Sequence, residues 1–322
     1  MTPGTPATYH PAAAGRGGAV GRTTLRMGTR RSALALAQSS AFARDLERAT
    51  GVRVETVGIT TEGDTNSAPL TAMGGTGVFV QAVRAALRAG DIDFAVHSYK
   101  DLPTAGPSDV VVAAVPVRED PRDALVTADG RPLSRLPAGA RVGTGSPRRA
   151  GQLAALRPGL VVVPLRGNVD TRLGRVRDGR LDAVVLAAAG LARLGRLGEA
   201  AELFAPDRIV PAPAQGALAV ECRADDAAVA LLLGSLDDAV TRAAVDAERA
   251  VLAELEAGCS APVGAHARPV GRALDLCAVI TATDGGRRTF RRAEVPLDPV
   301  AAAAAGRELA RALRKEYERG AR

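Results

Sequence analysis

The sequence predicts an α/β protein built as two α/β domains joined by a hinge, with a small α+β domain at the C-terminus. Three observations carry this. Strand-like apolar runs alternate with segments of helical spacing from about residue 25 to residue 236. A strand ending in Gly-Thr just before a helix start occurs twice, at Gly28-Thr29 and at Gly143-Thr144. Beyond Asp237 the texture changes to one long Ala/Glu/Arg/Leu helix, short strands and a last helix. With 322 residues and 47% hydrophobic content, the chain suffices for two or three domains of roughly 100–200 residues each.

Residues 1–23 are rich in Ala, Gly, Pro and Thr and lack the apolar core of a signal peptide, so a disordered extension or a misplaced start codon is expected there. A first domain, 24–117 with 214–236, opens with a short strand at Leu25–Gly28. Ser32 then reads as the N-cap of a helix reaching Thr50. Val52–Ile59 alternates as a strand, Gly74–Gly77 forms a loop, and Val78–Ala89 has helical spacing. Asp91–His97 and Val110–Val117 read as buried strands. Arg118–Pro121 and Pro211–Gly216 read as crossings that enclose a second domain, 118–213. There a strand ends at Arg141-Val142-Gly143, and Ser146-Pro147 supplies an N-cap with proline at the first helical position. The helix Arg148–Leu156, the strand Leu160–Leu165, a helix capped by Asn168 and the strand Leu181–Ala187 follow. Both sheets are expected to be largely parallel with helices on both faces, clamping a ligand. The third domain, 237–322, holds the helix Thr241–Ala257, strands near Leu274–Ala282 and Thr289–Val295, and a helix over Pro299–Glu318.

Composition narrows the function. The net charge is +7, and forty of the 42 basic residues are arginine, so Lys100 and Lys315 stand out. Aromatics make up 2% with no Trp, which removes the stacking platforms that single-stranded nucleic-acid binding requires. A basic chain without aromatics points instead to a small polyanion, because the arginine fork pairs with carboxylates or phosphates. Three cysteines cannot form a disulfide framework, which places the chain in the cytoplasm, and no apolar run reaches membrane-spanning length. Nor does any Cys/His spacing match a zinc site, so no metal is expected.

The residues with chemical capacity lie at strand ends. Lys100-Asp101 follows a buried strand, beside helix starts that attract anions, where an aspartate can stabilise a cation or move a proton. Arg30, Arg31, Arg148, Arg149, Arg166, Arg172 and Arg193 cluster at strand-to-helix junctions and together describe a cleft for several carboxylates or phosphates. Cys222 and Cys277 read as small buried hydrophobes, and His97 as a structural histidine. Cys259 sits in a loop between Gly258 and Pro262. Histidine occurs only at positions 10, 97 and 266, so covalent attachment suits this cysteine better than hydrolysis.

Taken together, these stretches resemble the porphobilinogen deaminase (hydroxymethylbilane synthase) family. The resemblance rests on Gly28–Ser32 with Leu34, Ala35 and Gln38, Gly74–Phe79, His97–Pro103, Glu119–Ala124, Val142–Leu153, Leu165–Leu173, Leu181–Leu194, Pro211–Arg223 and Ala247–Gly264, in the family's order. It implies a transferase that joins four porphobilinogen molecules head to tail, each losing ammonia, on a dipyrromethane cofactor held by a thioether to Cys259. Water then releases hydroxymethylbilane, which passes to uroporphyrinogen-III synthase. By the same resemblance Asp101 is the catalytic carboxylate, stabilising the methylene-pyrroleninium cation left by ammonia. Lys100, Thr144, Ser146, Arg148, Arg149 and Arg172 bind the cofactor. Arg30, Ser32, Gln38, Arg166, Arg193 and Gln215 bind substrate. The resemblance further implies a monomer without nucleic-acid or membrane partners.

Three positions depart from the commonest family pattern: Gly145 where serine is frequent, Thr76 where lysine is frequent and Glu62 where arginine is frequent. The competing reading is a non-catalytic anion- or solute-binding module, since hinged α/β domains also build periplasmic-type binding proteins. Such a module has no need of Cys259 or Asp101.

Overall fold

The computed structural model describes residues 23–60, 77–256 and 261–320. Residues 1–22, Glu62, the loop Gly74-Gly75-Thr76 and Cys259 lie outside the described residues. In chain order the first elements are β1 (Thr24–Arg30), α1 (Ala33–Thr50), β2 (Arg53–Ile59), α2 (Gly77–Ala89), β3 (Phe94–Ser98) and β4 (Val110–Ala114). Next come β5 (Asp123–Thr127), β6 (Arg141–Thr144), α3 (Pro147–Leu156), β7 (Val161–Pro164), α4 (Val169–Arg177), β8 (Ala183–Ala187), α5 (Ala188–Arg193) and β9 (Glu202–Leu203). The rest are β10 (Leu218–Arg223), α6 (Ala227–Gly234), α7 (Ala239–Glu254), β11 (Val263–Val270), β12 (Ala273–Thr281), β13 (Arg288–Pro296) and α8 (Pro299–Arg319). They form two compact units, one within residues 1–118 and 217–242, the other within 119–216 and 243–322.

The first unit is built on a five-stranded sheet of order β2-β1-β3-β10-β4. One face is covered by α1 and α6, whose Phe42, Leu46, Val229 and Leu233 pack on Leu25, Met27, Phe94 and Val220. On the other face Val83 and Leu87 of α2 pack on Ile92, Ala95 and Val110. The second unit repeats the plan with the order β7-β6-β8-β5-β9. Leu173, Val176 and Leu191 fill one face of this sheet, and Leu133, Leu136 and Leu153 fill the other. As the composition demands, both cores are mostly Ala, Val and Leu, and in the first an edge-to-face ring pair, Phe42–Phe94, lies at 6.0 Å between centroids.

The expectation of largely parallel sheets needs correction at one strand position in each sheet. β10 runs antiparallel to both β3 and β4, and β5 runs antiparallel to both β8 and β9. The reason lies in the two crossings. Each delivers the chain to the C-terminal edge of the parallel strands, where Leu218 pairs with Ser98 and Asp123 with Ala187. A strand that starts at that edge can only run back down the sheet.

Helix starts follow the sequence closely. The side chains of Ser32, Ser146 and Asn168 accept hydrogen bonds from the N–H groups of Ala35, Arg149 and Thr171 at 3.3, 3.4 and 2.8 Å. Such caps contribute on the order of 1 kcal/mol each. The C-terminal part of the second unit is an antiparallel three-stranded sheet, β11-β12-β13, with α7 and α8 packed on it. Its strand β11 was not expected, because Gly264 and Pro269 interrupt its pattern. Proline is tolerated there because β11 lies at the sheet edge. No described helix is long and apolar enough to cross a membrane.

Beneath the first sheet's C-terminal edge lies a buried ionic group. Both oxygens of Glu221 on β10 are engaged by Arg84 of α2, at 3.0 and 2.6 Å. The Nε2 of His97 lies 3.4 Å from Glu221 without the alignment of a hydrogen bond. Burial opposes ionisation of Glu221, but His97 and Arg84 win, and its pKa is pushed down to about 2 from 4.5. A carboxyl whose pKa is lower folded than unfolded adds stability above the unfolded value and loses it as pH falls through the folded one. We therefore expect the urea midpoint to fall as pH drops from about 4.5 toward 2, and Glu221→Gln to flatten that decline while lowering stability at neutral pH. An unchanged acid slope in the variant would remove Glu221 from this role.

Candidate active site

In the first unit the site grows from the ends of β1 and β3, which pair in parallel. The turn after β3 is a single 3-10 turn, Tyr99–Asp101. Buried Tyr99 and Leu102 bracket it, and the Tyr99 N–H donates to the Ala217 carbonyl at 3.0 Å. Apolar anchors on both sides leave Lys100 and Asp101 half-buried at the sheet edge. Arg30, Ser32, Gln38 and Asp101 line one cavity of about 90 Å³, together with His97 and Ser98. Gln38 is buried, and its Oε1 accepts a hydrogen bond from the Ser98 hydroxyl at 3.1 Å. Beneath it the hydroxyls of Thr29 and Ser39 lie 2.7 Å apart. Among the described residues no hydrogen bond or ion pair engages the Asp101 carboxylate. A carboxylate in this position stays available for a cation.

In the second unit the corresponding edge holds two arginines around one acid. Asp123, the first residue of β5, is fully buried. Its Oδ2 accepts from Nη1 of Arg148 at 2.7 Å, and its Oδ1 accepts from Nε and Nη2 of Arg149 at 2.9 and 2.7 Å. A further bond comes from Nε2 of Gln215 at 2.8 Å. Burial resists a charge on Asp123, yet the two guanidiniums hold its carboxyl far below the ordinary range. Two cations share one anion, so positive charge remains.

The two arginines are committed differently. Arg149 spends Nε, Nη1 and Nη2 on Asp123, the Val185 carbonyl and Gln215. Among the described residues Arg148 bonds through Nη1 alone, to Asp123 and to the Val210 carbonyl. Burial draws its pKa down against the pull of Asp123. Arg148 therefore retains Nε and Nη2 beyond these bonds, whereas each guanidinium nitrogen of Arg149 is engaged.

The other expected residues of this unit fall around the same edge. Thr144 ends β6, and its hydroxyl accepts from the Ser146 N–H at 3.2 Å at the start of α3. Arg172 is half-buried with Nε on the Gly167 carbonyl at 2.8 Å, and Arg166 is exposed. Arg193 donates to the Gly216 carbonyl at 2.7 Å, and burial lowers its pKa against the opposing pull of Glu119. Gln215 is fully buried, bonded to the Pro121 carbonyl as well as to Asp123. At Gly145 an added Cβ would meet the Leu165 carbonyl oxygen at 2.6 Å, so this backbone has no room for the serine frequent there.

Residue-type reasoning missed the role of Asp123. Its signal was an acidic residue opening the apolar run Asp123-Ala124-Leu125-Val126, a position that demands a buried partner. The remaining described cysteines match expectation. Cys222 and Cys277 are buried, and burial pushes their thiols up to about 12 and about 11, which leaves them inert at neutral pH.

The donor set suits a ligand with several carboxylates, such as a dipyrromethane with an acetate and a propionate on each ring. It combines a helix start capped by Ser146, the Thr144 hydroxyl and the surplus charge of the Arg148–Arg149 pair. Removing one partner of a buried ion pair costs more than the pair is worth, because it strands the other charge. Asp123→Ala is accordingly expected to lower unfolding stability by about 3–5 kcal/mol. A loss below 1 kcal/mol in denaturant unfolding would contradict the geometry.

The chain also matches known proteins along most of its length. Residues 25–231 match the family model described as porphobilinogen deaminase, dipyromethane cofactor binding domain. Residues 242–315 match the porphobilinogen deaminase C-terminal domain. A porphobilinogen deaminase of Thermobifida fusca is 56% identical over 295 residues, covering 89% of this chain and 92% of that protein. One of Nocardia farcinica is 55% identical over 315 residues, covering 95% and 89%. Another, of Mycolicibacterium paratuberculosis, is 59% identical over 246 residues, covering 76% and 78%. These matches set aside the reading of the chain as a solute-binding module. Carrying both domains of the family and most of its relatives' length, the chain belongs to the porphobilinogen deaminase family.

Proposed function

We propose that the chain condenses four porphobilinogen molecules head to tail on a dipyrromethane attached to Cys259, and then releases hydroxymethylbilane by hydrolysis. The observation that carries the chemical part is the Asp101 carboxylate, uncommitted to any described partner, in a cavity walled by Arg30, Ser32 and Gln38. In each addition the C–N bond of the aminomethyl group breaks and ammonia leaves. A C–C bond forms to a free pyrrole carbon, and that carbon gives up its proton. The attached dipyrromethane supplies the first free pyrrole carbon.

The chain's own residues do the rest. Asp101 stabilises the positive charge that builds on the methylene carbon and pyrrole nitrogen as ammonia departs, and it holds the proton in transit. Arg30, with the hydroxyl of Ser32, orients an incoming substrate carboxylate, and Gln38 shapes the wall behind it. Lys100, beside Asp101, balances the charge of the dipyrromethane side chains. Arg148, with Thr144 and Ser146, receives carboxylates in the second unit, and Arg149 keeps Arg148 in place through Asp123. Arg166, Arg172, Arg193 and Gln215 complete the second unit's carboxylate-binding set. Cytoplasmic location, a monomer, and delivery of the linear tetrapyrrole to uroporphyrinogen-III synthase belong to the same proposal.

Asp101→Ala removes the charge without burdening the fold, since its side chain is bonded to nothing described. Porphobilinogen consumption is expected to fall at least 100-fold, with a thermal midpoint close to that of the unaltered chain. Turnover within threefold of the unaltered chain would take Asp101 out of the mechanism.

A further inference from the structure

The crossing that carries Gln215 contains a strained residue for which its own sequence gives no reason. Ala214 is fully buried and has φ +62°, in the left-handed region that side chains with a Cβ disfavour. Two residues on, Gly216 has φ +90°, and a Cβ there would lie 2.3 Å from the Glu119 carbonyl oxygen, so glycine answers a close approach. Alanine at 214 has no such local rationale. Backbone held in a sparsely populated region persists only where the surroundings over-determine it, and such residues cluster at functional sites.

The constraint comes from α7. The Ala214 N–H donates to Oε2 of Glu248 at 2.6 Å, and Glu248 is fully buried. The second oxygen, Oε1, accepts from the Ala267 N–H at 2.7 Å and faces Nδ1 of His266 at 3.3 Å. One carboxylate thus ties the crossing to β11. The next residue in the crossing, Gln215, donates to Asp123 and to the Pro121 carbonyl, and Asp123 in turn holds Arg148 and Arg149.

We infer that Glu248 is a positioning residue: by holding Ala214 in the left-handed conformation it aims Gln215 at Asp123, and so sets the arginine pair for a ligand carboxylate. The inference rests on the proposed carboxylate-binding role of that arginine pair. It predicts a specific coupling. A carboxylate accepts from two N–H groups, whereas the amide of glutamine offers only one oxygen, so Glu248→Gln must abandon Ala214 or Ala267. Glycine at 214 adopts positive φ without strain and needs no such clamp.

Because Glu248 has polar partners beyond these, lost activity alone does not decide the matter, and coupling to Ala214 does. The experiment measures kcat and KM for porphobilinogen, with thermal midpoints, in the full-length chain, in Glu248→Gln, in Ala214→Gly and in the double variant. Glu248→Gln is expected to raise KM about tenfold with kcat changed less than threefold. Ala214→Gly stays within about twofold of the unaltered chain, and the double variant recovers most of the KM loss. An unchanged KM in Glu248→Gln overturns the inference, as does a double variant as defective as Glu248→Gln alone. If Glu248→Gln does not fold, recovery of both folding and KM in the double variant supports the inference, and failure of both overturns it. Gln215→Ala and Arg148→Lys separate the two levels. An unchanged KM in Gln215→Ala overturns the inference, because Gln215 is the link from the clamp to the arginine pair, whereas an unchanged KM in Arg148→Lys defeats the carboxylate-site reading.

Discussion

Two guanidinium groups share the one buried carboxylate of Asp123, and much of the second unit is arranged to make that arrangement tolerable. A lone buried aspartate or a lone buried arginine would be prohibitively costly, and two arginines side by side would repel. Asp123 resolves this by taking four hydrogen bonds, three from the arginines and one from Gln215. Val210 and Val185 supply backbone carbonyls to Nη1 of Arg148 and Nη1 of Arg149. The outcome is a net positive group at the start of a capped helix, which suits a molecule whose acidic groups multiply as it grows.

The same edge is reached in both units by the same topological device. The crossing strands β5 and β10 enter at the C-terminal edge of their sheets and run backward, so their first residues arrive beside the helix starts. In one unit that brings Asp123 under the arginines. In the other it brings Leu218 beside Ser98, which lines the cavity that holds Asp101, while Glu221, three residues further along β10, pairs with Ala95 and lies against His97 and Arg84. The two buried acids are alike in being ionised and satisfied, and both stand apart from Asp101, which no described group engages. Charge that serves the fold is neutralised within the core, while the charge we propose for the chemistry is left open. Exposed pairs such as Arg48–Asp45 are screened by water and add little to either task.

Much of this was legible in the sequence because the signals are local. The caps at Ser32, Ser146 and Asn168 are read from one side chain and the helix that follows it. The Lys100-Asp101 turn is read from the apolar residues on each side, and Arg30, Ser32, Gln38 and Asp101 do converge on one cavity. What could not be read is non-local. Strand direction leaves no trace in period-two alternation, so the backward course of β5 and β10 was invisible. The burial of Arg148 and Arg149 depends on Asp123, 25 and 26 residues away. The burial of Gln215, placed in advance among the substrate contacts, depends on the same aspartate, 92 residues distant. Strand β11 was hidden by Gly264 and Pro269, which only an edge position accommodates.

The central claim is that this chain builds its product on a primer carried by a cysteine, and that claim can be weighed directly. Intact mass spectrometry of the purified protein, beside a Cys259→Ser variant, reads the attachment without requiring turnover. The expected result is an adduct equal to two porphobilinogens less two ammonias on the unaltered chain, coloured by acidic dimethylaminobenzaldehyde, and a bare variant. A chain that stays bare after incubation with porphobilinogen, or a serine variant that carries the same adduct, would contradict the account.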